Sequence, residues 1–177
     1  MMYVLAVLIS VALMFPAMSE AAGDVDWNKM STAELQQQAP QLHPAALYTL
    51  AAKLFRNGNK DEAVFWFYVG QLRYRSHLKS SPKLDPSGDP ALFASLSEVV
   101  GRPINEYAFG DILLLARTID RILDWDEKNA NATTSKKTHA KEWREIREGL
   151  RSMQKEIQAS KEQIKKQREK NGLPNRR

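Results

Sequence analysis

The stretch from Pro44 to Leu78 constrains the fold more than any other part of the chain. It reads PAALYTLAAKLFRNGNKDEAVFWFYVGQLRYRSHL, the densest aromatic and apolar run outside the N-terminal segment. Leu47, Leu50 and Leu54 recur at the spacing of one helical face, and Gly58 can take the left-handed conformation that ends a helix. The stretch therefore predicts two helices joined by a tight turn.

The second helix of this pair is predicted to lie at the centre of the protein. It begins near Asn59 to Asp61, and the apolar residues of Ala63 to Val69 then cover nearly all of its sides. A helix that is apolar all round is normally buried between two layers. Gly70 leaves room for a neighbouring backbone, and we expect any working surface at the edges of this helix.

The aromatic and small residues of this pair follow a recognisable order. They read Leu47-Tyr48-x-Leu50-Ala51-x-x-Leu54-Phe55-x-x-Gly58-x-x-x-x-Ala63-x-x-Trp66-Phe67-Tyr68-x-Gly70. This pattern resembles one helical pair of the tetratricopeptide or Sel-type repeats, and that resemblance implies protein binding rather than catalysis. No second copy follows at the usual period of roughly 34 to 40 residues. The pattern thus indicates one repeat-like hairpin inside a different domain.

The composition fits one helical domain. The chain has 177 residues, of which 43% are apolar and 27% charged, and its glycines and prolines gather at breaks between periodic segments. Valine, isoleucine and threonine seldom alternate with polar residues, which argues against strands. We predict an all-α, compact domain of about five helices around the repeat-like hairpin, with a long basic amphipathic helix at the C-terminus.

The N-terminal segment has the form of an export signal. Met1 to Phe15 is uncharged and apolar but short for a membrane span, and small residues follow it. We predict a signal peptide at 1–21 that is removed, giving a periplasmic or secreted protein. The alternative is an uncleaved anchor in the inner membrane through residues 3–15. The chain has no cysteine, which suits a bacterial periplasm better than a disulfide-stapled secreted domain.

Short segments flank the central hairpin within the helical domain, predicted at 22–127. Ser31 and Glu34 form a capping-box pattern for a helix from Thr32 to Ala39. Ser80 to Pro90 contains three prolines and one glycine and predicts a loop. Two further helices are expected to cover the hairpin. The first has inward residues Leu92, Phe93, Leu96, Val99 and Val100 and ends at Gly101 and Pro103; the second runs from Ile104 to Trp125 with a kink or close packing at Gly110.

The C-terminal part is predicted to be a surface linker at 128–138 and then a long charged helix and tail at 139–177. Its apolar residues form a narrow stripe at alternating three- and four-residue steps, typical of a coiled-coil-like seam. The stripe consists of Trp143, Ile146, Leu150, Met153, Ile157 and Ile164. This seam packs either on the body or on another chain, so an oligomer is one expectation.

The charge is unevenly distributed along the chain. Residues 1–127 contain 11 Lys and Arg against 15 Asp and Glu, a net of −4, whereas residues 128–177 contain 15 against 6, a net of +9. A basic tail can bind phosphate backbones. We predict no nucleic-acid partner, because an exported protein seldom meets nucleic acid and glutamates are interspersed in the tail.

No catalytic or metal-binding motif is recognisable. Nucleophile elbows, P-loops, HExxH and glycine-rich dinucleotide turns are absent from the sequence. His43, His77 and His139 lie in different elements without a ligand at the i,i+4 offset, so surface or capping roles are expected. Acidic residues at 124, 126 and 127 end a helix, an unfavourable position beside its dipole, but no base or metal ligand is predicted beside them. We predict no catalytic residue, no metal and no cofactor.

Export together with the absence of catalytic motifs favours a non-enzymatic, protein-binding protein. In general character the chain is similar to bacterial secretion-system immunity proteins, which implies neutralisation of a periplasm-acting toxin by direct binding. The alternative is a periplasmic scaffold or assembly factor that uses the hairpin and the coiled-coil helix. The loop from Ser80 to Pro90 is one candidate contact. The candidate contact side chains are Arg73, Arg75, Lys79, Trp143, Arg144 and Arg147.

Overall fold

A computed structural model describes residues 26–176, and all regular secondary structure in this range is helical. The predicted all-α class is confirmed. The described range contains eight helices and not about five, because two of the predicted helices are each divided in two. They are α1 Thr32–Gln38, α2 Pro44–Arg56, α3 Lys60–Ser80, α4 Asp89–Val99, α5 Gly101–Ala108, α6 Ile112–Lys128, α7 Ala140–Ala159 and α8 Lys161–Lys170.

The helical pair α2–α3 forms as predicted and places α3 at the centre. Gly58 makes the turn with a φ of +83°, a conformation that side chains other than glycine rarely adopt. Residues 63–70 are all buried. A Cβ added to Gly70 would lie 3.1 Å from the Cβ of Leu47 and 3.2 Å from the ring of Tyr48. The missing side chain of Gly70 therefore allows α2 and α3 to approach closely.

The capping box that begins α1 is also confirmed. Ser31 Oγ accepts a hydrogen bond from the backbone N–H of Glu34 at 3.2 Å, and Glu34 Oε2 accepts one from the backbone N–H of Ser31 at 2.7 Å. These reciprocal bonds satisfy two of the free backbone donors at the helix N-terminus. A helix of seven residues thus starts at the residue that the sequence indicates.

The prediction that the apolar residues of α4 all point inward is wrong. None of its residues is fully buried, and Leu92 and Val99 are 42% and 71% exposed. Phe93, Leu96 and Val100 do pack against the core, but only partly. Helix α4 therefore lies on the surface and keeps apolar residues on its outer face.

The helix predicted from Ile104 to Trp125 is two helices. Gly101 begins α5 instead of ending α4, and a Cβ there would lie 2.8 Å from Phe67 Cζ. The helix is interrupted at Gly110, where a kink or close packing was expected: α5 ends at Ala108 and α6 begins at Ile112. Asp111 then caps α6, with its Oδ1 accepting from the Leu114 backbone N–H at 2.9 Å.

The connection between α6 and α7, predicted as a surface linker at 128–138, is attached to the body. Asn131 and Thr134 are buried, and the backbone N–H of Ala132 donates to the Pro40 carbonyl at 3.0 Å. The hydroxyl of Thr133 donates to the Leu42 carbonyl at 3.3 Å. The segment therefore belongs to the folded body, packed on the connection between α1 and α2.

The predicted long C-terminal helix is divided at Ser160 into α7 and α8. Its apolar stripe packs on the body of the same chain. Ile157 is part of the core, and Ile146, Leu150, Met153 and Ile164 lie against it. The seam is thus occupied within one chain, which does not support a coiled coil with a second one.

The predicted signal peptide at 1–21 and the alternative anchor at 3–15 lie outside the described residues. Within residues 26–176, no helix combines the length and the apolar character needed to cross a membrane.

Candidate functional site

A groove lies between α3 and α7, next to the predicted contact residues Arg75 and Lys79. It has a volume of about 280 Å³. Gly149 lies in the wall on α7, and a Cβ added there would meet no atom within 4 Å. The missing side chain at Gly149 therefore helps to keep the groove open. The wall is mainly apolar and includes Tyr68 and Leu72 from α3 and Ile146, Leu150 and Met153 from α7.

The rim of the groove carries one arginine without a salt bridge. Arg75 is exposed, and its guanidinium lies 5.7 Å from the centre of the Phe93 ring. Within residues 26–176, no carboxylate lies within salt-bridge distance of it. Glu145 also lines the groove, but its carboxylate is paired with Lys79. The rim therefore presents a positive charge that a carboxylate of a partner can neutralise.

The Tyr68 hydroxyl is held inside the fold. It donates a hydrogen bond to Asn105 Oδ1 at 2.9 Å. Burial raises the pKa of Tyr68 far above its ordinary value, so the phenol stays protonated and contributes its ring, not a charge, to the groove. The groove consequently offers an apolar surface with charge confined to the rim.

Arg73, two residues before Arg75, has an internal role. It is 1% exposed. Its Nη1 donates to the Ala39 carbonyl at 3.0 Å and its Nη2 to the Ala130 carbonyl at 2.7 Å, while its Nε lies 3.5 Å from Asp126 Oδ1. Arg73 therefore joins α3 to α6 and to the segment at 129–139, and its guanidinium is not available to a partner in this structure.

Asp126 is the centre of this buried cluster and also accepts hydrogen bonds from two side chains of α7. Trp143 Nε1 donates to Asp126 Oδ2 at 2.7 Å, and Arg147 Nη1 approaches the same oxygen at 3.2 Å. Arg147 Nη1 also donates to the Leu123 carbonyl at 2.7 Å. Trp143 and Arg147, predicted as contacts, thus attach α7 to the body. Asp126 was identified in the sequence only as an unfavourable acid at a helix end, because its partners are distant along the chain.

The other predicted contact residues are accessible. Arg75, Lys79 and Arg144 are exposed, and the turn at 81–88, within the predicted loop, is mostly exposed as well. Arg75 and Lys79 lie beside the groove, whereas Arg144 lies near the start of α7. Their role in binding stays a prediction. The structure adds the groove itself, which sequence reasoning missed because its two walls are 70 or more positions apart along the chain.

A second polar cluster lies at the junction of α2, α3 and α4. His43 precedes α2, His77 lies in the last turn of α3 and Asp89 begins α4. His77 Nε2 is 2.9 Å from Asp89 Oδ2, and His43 Nε2 is 3.5 Å from Asp89 Oδ1. The predicted capping role of His43 is confirmed, since its Nδ1 accepts from the Ala45 backbone N–H at 3.3 Å.

Two aromatic side chains orient this cluster. Tyr74 donates from its hydroxyl to Asp89 Oδ1 at 2.8 Å. The Trp27 ring stacks on the His43 ring, with centroids 5.9 Å apart and planes 7° from parallel. Sequence reasoning missed the cluster because it tested only ligands one helical turn apart, whereas these come from three different elements.

The protonation states follow from burial and hydrogen bonding. Burial lowers the pKa of His43 below its ordinary value, although the Asp89 carboxylate acts in the opposite direction. Burial alone would raise the pKa of Asp89, but hydrogen bonds from Tyr74 and His77 outweigh it and lower the pKa. Near neutral pH the cluster therefore has a neutral His43 and an ionised Asp89.

Comparison with known proteins gives a distant relative and no family. No family model matches the chain, and no solved structure matches it significantly. One similar protein is an uncharacterized protein of Haemophilus influenzae, 30% identical over 96 residues. The match covers 51% of this chain and 35% of that protein, so the chain spans about a third of the relative's length. The resemblance of α2–α3 to tetratricopeptide or Sel-type repeats stays a prediction.

Proposed function

We propose that the protein is an exported, non-enzymatic binding protein of the immunity type, which neutralises a periplasm-acting toxin by direct contact. The single observation that supports it most is the open apolar groove between α3 and α7 with the unpaired Arg75 on its rim. Partner-binding surfaces commonly combine an apolar centre with a polar, charged rim.

The chemistry of the groove specifies the kind of partner. Residues 128–177 carry a net charge of +9, and Arg144 is exposed on α7. Complementary charge accelerates association and selects among partners. We expect an acidic surface that inserts an apolar side chain between Leu72 and Met153 and places a carboxylate at Arg75.

Direct contact explains how such a protein works without chemistry of its own. A toxin whose active cleft is covered by α3 and α7 is inactive for as long as the complex lasts, and most of the affinity resides in slow dissociation. Apolar contacts in a desolvated groove supply this slow dissociation, while the rim charge mainly affects the association rate.

A competition experiment tests the function in cells. Deleting the gene should make the cells sensitive to toxin delivered by their siblings, and the wild-type gene should restore resistance. An Arg75→Glu variant should restore it poorly, because it places a negative charge opposite the expected carboxylate. Arg56→Glu, the same charge reversal at an exposed position of α2, is the matched control and should restore resistance fully. Unchanged competition after deletion would overturn the immunity function.

A further inference from the structure

We infer that His43, His77 and Asp89 form a binding site for a divalent transition metal, with Zn²⁺ the best match to two imidazoles and one carboxylate. One donor atom from each residue falls in a group whose members all lie within 4.8 Å of one another. This metal site is independent of the proposed partner binding at the groove.

The distances between donors suit a tetrahedral ion. Two ligands at about 2.0–2.1 Å from Zn²⁺ in tetrahedral geometry lie about 3.3 Å apart. Each histidine Nε2 lies near this distance from one oxygen of the Asp89 carboxylate, at 2.9 Å from Oδ2 for His77 and at 3.5 Å from Oδ1 for His43. To admit the ion, the His77 ring and the Asp89 carboxylate must separate from their present hydrogen bond and turn toward a shared point. All three ligands are partly exposed, so water can reach a fourth position.

The surroundings of the ligands resemble those that orient metal ligands in proteins. A carboxylate ligand is usually held by a hydrogen bond from a neighbouring group, and here Tyr74 donates to Asp89 Oδ1 at 2.8 Å. Stacking against Trp27 fixes the plane of the His43 ring. Both contacts reduce the freedom that the ligands would lose on binding.

Metal binding requires two hydrogen bonds to be given up, and the first is the one that His77 Nε2 donates to Asp89 Oδ2. The second is at His43. His43 Nδ1 now accepts from the Ala45 backbone N–H at 3.3 Å, which places the proton of the neutral ring on Nε2. With a metal at Nε2 the proton moves to Nδ1, and this long hydrogen bond is lost. The exchange replaces one weak cap with a coordinate bond, and no proton leaves the ring.

The site would also fix α4 to the central hairpin. No residue of α4 is fully buried, so its apolar packing on α2 and α3 is limited, and Asp89 in its first turn is joined to both histidines. A metal that binds the folded protein and not the unfolded chain raises the apparent stability. We therefore expect Zn²⁺ to raise the thermal midpoint and to slow amide exchange in α4.

The test uses the full, untagged chain after treatment with a chelator, because an oligohistidine tag binds Zn²⁺ itself. Titration calorimetry with ZnCl₂ should give one equivalent, with micromolar or tighter affinity. His77→Asn and Asp89→Asn should each weaken binding at least tenfold. Asp89→Asn keeps an acceptor for Tyr74, and far-UV circular dichroism verifies that both variants are folded.

His139→Asn is the matched control, since this third histidine lies outside the cluster and its side chain makes no cap hydrogen bond. It should bind Zn²⁺ as the wild type does. Co²⁺ should give the intense visible absorption of a tetrahedral site in the wild type and not in His77→Asn. Absence of one-equivalent binding in the wild type, or equal affinity in folded His77→Asn, would overturn the site.

Discussion

At the scale of single residues, the position on a helix determines whether an arginine side chain is buried or exposed. Arg73 and Arg75 are two positions apart on α3, so they face different directions. Arg73 is buried against Asp126, while Arg75 is exposed at the groove. The sequence indicates that alternate residues diverge, but it does not tell which one turns inward, because the buried acid that receives Arg73 lies 53 positions away.

Removing Arg73 should be far more damaging than removing Arg75. Arg73→Met leaves the Ala39 and Ala130 carbonyls without their Arg73 donor, and each buried acceptor left unsatisfied typically costs about 1–3 kcal/mol. The Asp126 carboxylate also loses its α3 cation, although Arg147 stays beside it. Arg75→Met should change the free energy of unfolding by no more than about 0.5 kcal/mol, as at most surface positions. Urea denaturation measures the free energy of unfolding of both variants. Similar losses for the two variants would contradict the assigned burial.

Replacing Gly70 or Gly149 by alanine should change the free energy of unfolding in opposite directions. Gly70 lies where α2 and α3 pack together, and Gly149 lies where α7 faces the groove. Gly70→Ala forces a methyl group to within about 3.1 Å of Leu47, and such overpacking typically costs about 1–3 kcal/mol. Gly149→Ala meets nothing within 4 Å and should stabilise α7 by about 0.5–1 kcal/mol through helix propensity. The same denaturation experiment compares them. A stabilising Gly70→Ala would show that α2 and α3 pack less closely than described.

Acid should destabilise the protein through His43. Burial lowers its pKa in the folded state, whereas the unfolded side chain titrates near about 6.5. Below that pH the unfolded chain takes up a proton that folded His43 does not, so stability falls with pH until the folded pKa is passed. Chelator-treated wild type should therefore lose more stability from about pH 7 to pH 5 than His43→Asn, which keeps a capping side chain. Equal pH dependence would contradict the lowered pKa.

At the scale of elements, the sequence predicts those helices whose signals are local. The turn glycine and the helical apolar spacing define α2 and α3, and the capping box defines the start of α1. The inward face of α4 is mispredicted because its exposure depends on how much of the core α2 and α3 already cover. Whether Gly110 kinks a helix or ends it depends on the cap that Asp111 forms for α6. The apolar residues keep a helical spacing on both sides of Gly110, so the sequence pattern does not show this interruption.

Asp111 should account for the start of α6. Its side chain accepts from the Leu114 backbone N–H at 2.9 Å, and replacing such a cap by alanine typically costs about 1 kcal/mol. Asp111→Ala should lower the free energy of unfolding by that amount, and Asp111→Asn, which can still accept the bond, should lower it less. Thermal unfolding followed by circular dichroism distinguishes them. Equal losses would show that the charge matters and the cap does not.

At the scale of the whole molecule, the candidate site depends on tertiary packing. Residues of the groove come from α3 and α7, and the metal ligands come from three elements, so neither site has a sequence motif. The stripe of the C-terminal helix was predicted correctly as a packing seam, but only the fold shows that the same chain covers it. Along this seam, the space beside Gly149 stays open to a partner.

Two substitutions at Gly149 therefore test the binding proposal most directly. Gly149→Leu fills the groove, whereas Gly149→Ala leaves most of it open, and a Cβ at this position meets no neighbour in the fold. Both variants and the wild type are immobilised, and the partner captured from periplasmic extract is identified and titrated. We expect one acidic protein that binds the wild type and Gly149→Ala alike and binds Gly149→Leu at least tenfold more weakly. Equal binding of the same partner to folded Gly149→Leu would contradict binding through the groove.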